Sequence, residues 1–567
     1  MRATHTPDTG AATGGLRQAM AWLHTWCGLW FSWLLFAVFL TGSLAVFEEP
    51  ITHWMTPEQH AEEAEEAAEE AARASLPATA PVAGRAQRLA HASDYMTQHH
   101  RSKDMWEIWP ADAEGGGELK VYWFDEQHLY AQAKLDANTG APQPLLPPKV
   151  PARGTLGGQH FVDFHYNLHG GTLGLWIVAI AAMVMLLALL SGVITHKRIF
   201  KDFFTFRPKK GQRSWLDAHN AVAVLSLPFQ FMIAYTGIVF TATTYLPAGV
   251  WAHYGNDAGV HLRYTTELTT PGLQPRSGRP LAVPALEPFA AQAVALTGQP
   301  VRAVVVDHPG DASMRISVYG WNDPKGLVRR MSDATGMVAF APDGRVLQLR
   351  LPGGSADGSA SFVSQVMSNL HMAGLGGWPM KWLYFLCGLA GTAMMGTGAV
   401  LFMVKRRNKS LREFGGRTAQ VYRCIEALNI AAITGLAVAC IAYLWANRLL
   451  PLMIDQRASW ELRVFFGVWL VTLVHAWLRP PRAAWRVQLW TLATACLLLP
   501  LLNGLTTGDH LVAEMARGDW ESAGVELTSM AFGLLAGWGA LLLLRTGKAV
   551  QPRRTAHPSL GSAGERP

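Results

Sequence analysis

Charge is scarce in this sequence. Asp, Glu, Lys and Arg make up 16% of its 567 residues, where a soluble domain carries about 25%. Cysteine is scarce too: Cys27, Cys387, Cys424, Cys440 and Cys496 all lie in or beside apolar runs. No two of them form a C-x-x-C pair, which argues against a disulfide framework or a structural zinc. C-x-x-C-H is missing, and with it covalent c-type haem. So are a P-loop and a G-x-G-x-x-G after a strand, the two common nucleotide signatures. What is present is apolar. Half of the chain is hydrophobic, with 22 Trp and a mean hydropathy of +0.13. That excludes a disordered chain, a secreted disulfide scaffold and an ordinary cytosolic enzyme. The net charge of +7 sits in short basic clusters beside apolar segments. Membrane proteins mark their cytoplasmic loops in this way, so it does not indicate nucleic acid.

A helix needs about 20 apolar residues to cross a bilayer. Eight segments qualify, at 22–47, 172–195, 219–246, 380–404, 424–447, 462–478, 485–504 and 525–544, the sixth being the shortest. The first is too long for a signal peptide and lacks a small-residue cleavage site. Lys and Arg crowd the loops 196–213 and 405–423, follow the sixth span at Arg479, Arg482 and Arg486, and follow the eighth at Arg545, Lys548, Arg553 and Arg554. With both termini inside, every cluster is cytoplasmic. The chain then reads as a cytoplasmic start (1–21), an outside segment (48–158), an outer edge with the second span (159–195) and a basic loop (196–213). The third span (214–246), a second outside segment (247–367), an outer edge with the fourth span (368–404) and a second basic loop (405–423) follow. A four-helix membrane extension (424–545) and a cytoplasmic tail (546–567) complete it.

Each outside segment reads as a small α+β unit. The first opens on a Glu/Ala run, Glu58 to Glu70, which is a solvated helix or spacer in one reading and a metal-capturing patch in another. Residues 106–109 and Leu119–Phe124 then alternate like strands, and Asp136–Gly140 is a turn. In the second, 286–297 is a helix, Val301–Val306 and Met314–Tyr319 are strands, and Asp333–Gly336 is a turn. The similarity extends further. His24 precedes Thr41-Gly42 by 17 residues, and His219 precedes Thr236-Gly237 by 17. Asn167-Leu168-His169 is matched by Asn369-Leu370-His371. The first four spans therefore read as an internal duplication over about residues 17–205 and 214–407, as in repeat-built membrane folds.

Ionisable side chains at membrane depth are costly and functional by default. His24, His196 and His219 sit at the inner edge, and His165, His169 and His371 at the outer edge. Four readings compete: headgroup-level or capping histidines, a divalent metal site, a proton relay and b-type haem. A zinc-like site recruits carboxylates or thiolates, and few are close. A relay alternates His with Asp or Glu, and the span interiors hold almost no acids. Haem needs two axial ligands on opposite sides and an aromatic slot, which Trp22, Trp26, Trp30, Phe31, Trp33, Phe229 and Phe231 would wall. The duplication suggests His24 with His219 for an inner haem and His169 with His371 for an outer one, with His196 and His165 as substitutes. His169 and His196 are 27 residues apart, about 40 Å along a straight helix, unless Gly170-Gly171 and Gly374–Gly377 break the helices. Met20, Met55, Met232 and Met372 are alternative ligands set against ordinary packing. His475 and His510 read as structural, and His99 and His100, beside Arg101, as surface residues or contacts for an anionic substrate.

Leu23-His24, Thr41-Gly42, Asp163–His169, Ser191–Arg198, Lys201–Arg207, Trp215–His219, Thr236-Gly237 and Asn369–His371 together resemble the PepSY-associated transmembrane family over about residues 17–407. The resemblance implies PepSY-like periplasmic units in a bacterial inner-membrane protein. Its FoxB-type members are dihaem siderophore reductases. It thus implies two haem b groups, held by iron bonds from His24, His219, His169 and His371. It also implies reduction of a ferric siderophore, or another periplasmic ferric chelate, with electrons from a quinol or a flavin reductase. A PepSY binding or regulatory scaffold without redox activity and a transporter are the alternatives. The resemblance says little about the last four spans.

Overall fold

A computed structural model describes residues 15–60, 83–110, 119–126, 130–143, 153–195, 207, 211–256, 260, 263–264, 273–321, 335–352, 359–406 and 417–547. His196, nearly all of the Glu/Ala run, most of both long basic loops, the first half of the Asp333–Gly336 turn and the tail lie outside these residues. The chain forms two compact units, residues 1–404 and 405–567.

The first unit begins with α1 (Leu16–Ala45), α2 (Glu48–Met55) and α3 (Arg85–His99). Strands β1 (Met105–Trp109), β2 (Leu119–Phe124), β3 (Tyr130–Leu135) and β4 (Pro142–Gln143) follow. Next come α4 (Gln159–Asn167), α5 (Gly171–Thr195), α6 (Gln212–Tyr245), α7 (Ala248–Tyr254) and α8 (Glu287–Thr297). Then β5 (Val301–Asp307), β6 (Arg315–Gly320), β7 (Met337–Phe340) and β8 (Val346–Arg350) precede α9 (Ser359–His371) and α10 (Gly377–Arg406). Helices α1, α5, α6 and α10 are each long and apolar enough to cross a membrane. Their hydroxyls fold back on their own turns: Thr41 donates to the Ala37 carbonyl, Ser43 to Phe39 and Thr236 to Met232. In hydrocarbon a hydroxyl needs such an internal partner. Glycines allow close approach between helices, with Gly388 against Ser43 and Gly391 against Phe39 and Gln230.

The two α+β units are not separate. Their strands form one antiparallel sheet in the order β4-β3-β2-β1-β5-β6-β7-β8, joined where β1 pairs with β5, Ile108 opposite Val304. Pairing the two first strands removes an exposed edge from each half. Helices α3 and α8 cover one face, and a single core runs through both halves: Leu89 and Met96, Trp106 and Ile108, Phe289 and Ala293, Val304 and Val318. Arg85 of α3 grips Glu287 of α8 with two hydrogen bonds, of 3.0 and 2.7 Å. The Asp136–Gly140 turn forms as the sequence suggests: the Asp136 carboxylate accepts from the Asn138 and Thr139 amides, and Gly140 takes φ +74°.

The second unit is a helical bundle. Helix α11 (Thr418–Ile430), a π-helical turn (Ala431–Gly435) and α12 (Leu436–Leu449) form one span. At this wide turn the Ala431 carbonyl accepts from the Leu436 amide and also from the Trp469 indole, at 2.9 Å. Helix α13 (Arg457–Leu478) is unbroken, although its segment was the shortest apolar run. Helices α14 (Pro481–Leu497) and α15 (Leu499–Thr507) form a bent pair, at 43°, where the sequence suggests one straight span. Pro500, in the first turn of α15, has no N–H to continue the ladder, so the break falls there. Short α16 (Leu511–Arg517) and long α17 (Trp520–Gly547) complete the unit. Seven helices among the described residues are thus long and apolar enough to span, or eight with the bent pair.

Candidate cofactor site

Histidines from four elements of the first unit meet in two pairs. His24 of α1 and His219 of α6 face each other with ring centroids 6.4 Å apart. His165 of α4 and His371, the last residue of α9, face each other at 6.1 Å. All four use Nδ1 alike. That atom lies 2.8 Å from the Ala188 carbonyl in His24, 2.8 Å from the Val38 carbonyl in His165 and 3.0 Å from the Met394 carbonyl in His219. In His371 it meets the Thr236 hydroxyl at 3.0 Å, and the ring also bonds the Ile233 backbone. A carbonyl only accepts, so Nδ1 carries the hydrogen and Nε2 keeps its lone pair. Burial pushes His165 below the usual imidazole value, and burial with His165 nearby holds His371 at about 4. Both rings are therefore neutral at ordinary pH, the form that binds a metal.

Each ring also lies against a glycine four residues beyond the carbonyl it bonds. A Cβ on Gly192 would come within 3.0 Å of His24, on Gly42 within 2.5 Å of His165, on Gly237 within 2.9 Å of His371 and on Gly398 within 3.3 Å of His219. Positions four apart share a helix face, so the missing side chain opens the shelf on which the ring rests. This gives Thr41-Gly42 and Thr236-Gly237 a physical role. The hydroxyl closes on its own helix, and the glycine admits the imidazole.

The spacing leaves room for one metal ion between the two rings of each pair. An imidazole nitrogen binds a metal ion at about 2.0 Å, so two rings that shared one ion would have centroids about 6 Å apart. Both pairs match that separation. A tetrahedral site would need two further donors, and among the described residues no third His, Cys, Asp or Glu completes a metal-holding group with either pair. Aromatic rings stand nearby. Phe240 stacks on His371 with centroids 6.2 Å apart, Trp26 meets Phe402, and Phe229 meets Tyr384. Trp22, Trp30 and Phe231, counted as walls in the sequence, are 64, 64 and 45% exposed and face outward.

His169 is placed elsewhere. Helix α4 ends at Asn167, and Leu168 and His169 adopt left-handed backbone at φ 55° and 54°. The turn removes His169 from the face that carries His165, so it does not oppose His371. Its Nε2 lies 2.9 Å from Nδ1 of His160, a buried residue that the sequence reading passed over. Burial, with His169 beside it, pushes His160 down to about 3. The pairing of His169 with His371 is thus replaced by His165 with His371, and His196 lies outside the described residues. The two levels are also closer than the sequence suggested. On α1 the step from His24 to Val38, and on α6 from His219 to Ile233, is fourteen residues, about 21 Å.

These features define a multi-pass membrane protein whose helical core holds two facing histidine pairs below an α+β lobe. Residues 21–405 match the family described as the PepSY-associated TM region, and the chain belongs to that family. It is also similar to an uncharacterised protein of Pseudomonas aeruginosa, 25% identical over 388 residues, which covers 66% of this chain and 92% of that relative.

Proposed function

We propose that this protein is a two-haem b electron carrier of the bacterial inner membrane that reduces ferric iron held in a siderophore or a similar chelate on the periplasmic side. The observation that carries the reading is the pair of facing imidazoles at each of two levels, with Nδ1 of His24, His165 and His219 held by a backbone carbonyl. His24 and His219 would hold the inner group, and His165 and His371 the outer one. Iron held between two imidazoles alternates between ferric and ferrous forms and so passes one electron at a time. The protein's part is to fix the rings. The carbonyls of Val38, Ala188, Ile233 and Met394 set the tautomer, the glycines set the depth, and the apolar helices exclude water.

The substrate follows from metal chemistry. Siderophores hold Fe(III) through hard oxygen donors and hold Fe(II) weakly, so one added electron loosens the metal. The electron would come from a quinol or a flavin reductase at the inner level. In the positive-inside orientation the α+β lobe would lie on the periplasmic side and serve as the docking platform for the chelate. The test is optical. Detergent-purified protein from haem-replete cells should show a Soret band that shifts on dithionite reduction, with two haems per chain by pyridine haemochrome. The reduced protein should reoxidise when stopped-flow mixed with a ferric siderophore. A colourless protein would instead indicate a binding scaffold or a carrier.

A further inference from the structure

The second unit holds a buried polar network that haem binding does not use. Its acids stand at span ends or between spans: Glu461 of α13 and Glu526 of α17 are fully buried, as are Asn447, Arg448, Arg457, Asn503 and Glu514 to within a few per cent. Arg457 and Asn447 occupy Glu461, at 2.5 and 2.9 Å. Arg448 donates to the Asn503 amide oxygen at 2.7 Å, and Thr507 donates to the same atom at 3.0 Å. That fixes the amide. Its nitrogen must face the other way, where it donates to Oε1 of Glu514 at 3.0 Å and Oε1 of Glu526 at 2.9 Å. Two carboxyls from different helices therefore converge on one amide nitrogen, away from water. The second oxygen of Glu514 is enclosed and has no hydrogen-bond partner among the described residues.

We propose that Glu514 is a proton-binding site of the C-terminal bundle, carrying an exchangeable proton at neutral pH beside Glu526. Two carboxylates brought together in a low-dielectric site do not both ionise. An enclosed oxygen without a donor is badly placed to hold negative charge, whereas a carboxylic acid tolerates it. The surrounding charges favour the same state. Glu526, Asp519 and Asp509 repel a charge on Glu514, and Arg517, which opposes them, is itself bound to Asp509 at 2.6 Å. Across the network Arg448 is engaged by Asn503 and Asn447, and Arg457 by Glu461. Burial, reinforced by Glu526, pushes Glu514 up to about 8, within reach of physiological pH. Buried carboxyls that titrate near neutrality can take up and release protons. This assignment does not depend on haem.

The test is infrared titration of the whole purified protein in detergent. The unmodified chain should show a protonated-carboxyl band at neutral pH that disappears with a midpoint near 8. E514Q should lose the band and, because Gln imitates the protonated acid, should keep its fold. E526Q should keep the band and move its midpoint to lower pH, by removing the like charge. E461Q, which alters only the ion-paired acid, should leave band and midpoint in place. Absence of the band from the unmodified protein, or its persistence in E514Q, overturns the proposal. So does a midpoint that moves with sodium concentration, which would make this a metal-cation site.

Discussion

The hydrogen on Nδ1 decides what each core histidine does. Where a backbone carbonyl accepts it, as at His24, His165 and His219, the ring stands opposite a second histidine about 6 Å away; where Nδ1 instead meets a second imidazole directly, as at His160, the residue closes a local contact. H165A and H371A should each lower haem content from two per chain to one, by pyridine haemochrome, and H169A should leave two. Equal losses in H169A and H165A would contradict the pairing. The shelf glycines give a graded version. In G42A the new methyl sits 2.5 Å from the His165 ring, and in G398A 3.3 Å from His219, so G42A should lose its haem more completely. Glu514 supplies a pH dependence. Its value is raised from 4.5 to about 8, so its contribution to stability is full below about 4.5 and is lost as pH rises toward 8. Thermal unfolding of the unmodified protein should weaken across that window relative to E514Q. Much of this was legible in the sequence. Paired histidines at matched distances from Thr-Gly stood out because the repeat is exact in residue number. The choice between His165 and His169 was not legible, because two left-handed residues decide it and spacing carries no dihedral. Gly170-Gly171 was the available sign that the helix stops there.

At the scale of elements, β1 and β5 do what neither half would achieve alone. Alternation of apolar residues located β1, β2, β5 and β6 within a residue or two, since one sheet face is packed on α3 and α8, and it missed β3, β4, β7 and β8. The joining of the halves left no mark, because an edge strand and a central strand alternate alike. If the eight strands fold as one, I108A should cost about 2–5 kcal/mol and should speed amide hydrogen exchange in β5 and β6 as well as in β1 and β2. Loosening confined to β1–β4 would show two independent lobes. The spans were readable from apolar length alone, and the break between α14 and α15 was written at Pro500. The polar network between α12 and α17 was missed because Asn447, Arg448 and Arg457 sit at span ends, where charged residues ordinarily reach water.

At the scale of the molecule, the family match over residues 21–405 covers the four helices that carry the histidine pairs, and the bundle over 417–547 lies beyond it. The two regions have separable chemistry: facing imidazoles in one, and buried carboxyls bridged by an amide in the other. Substitutions at Glu514 or Glu526 should therefore leave haem content at two, and substitutions at His165 or His371 should leave the carboxyl band intact. The central claim is that the two facing pairs grip haem. The most direct measurement is the haem count of the purified protein, read from its reduced-minus-oxidised spectrum and pyridine haemochrome after expression with ample haem. Two b-type haems per chain, falling to one in H371A, is the expected result; a protein without a Soret band under those conditions contradicts it.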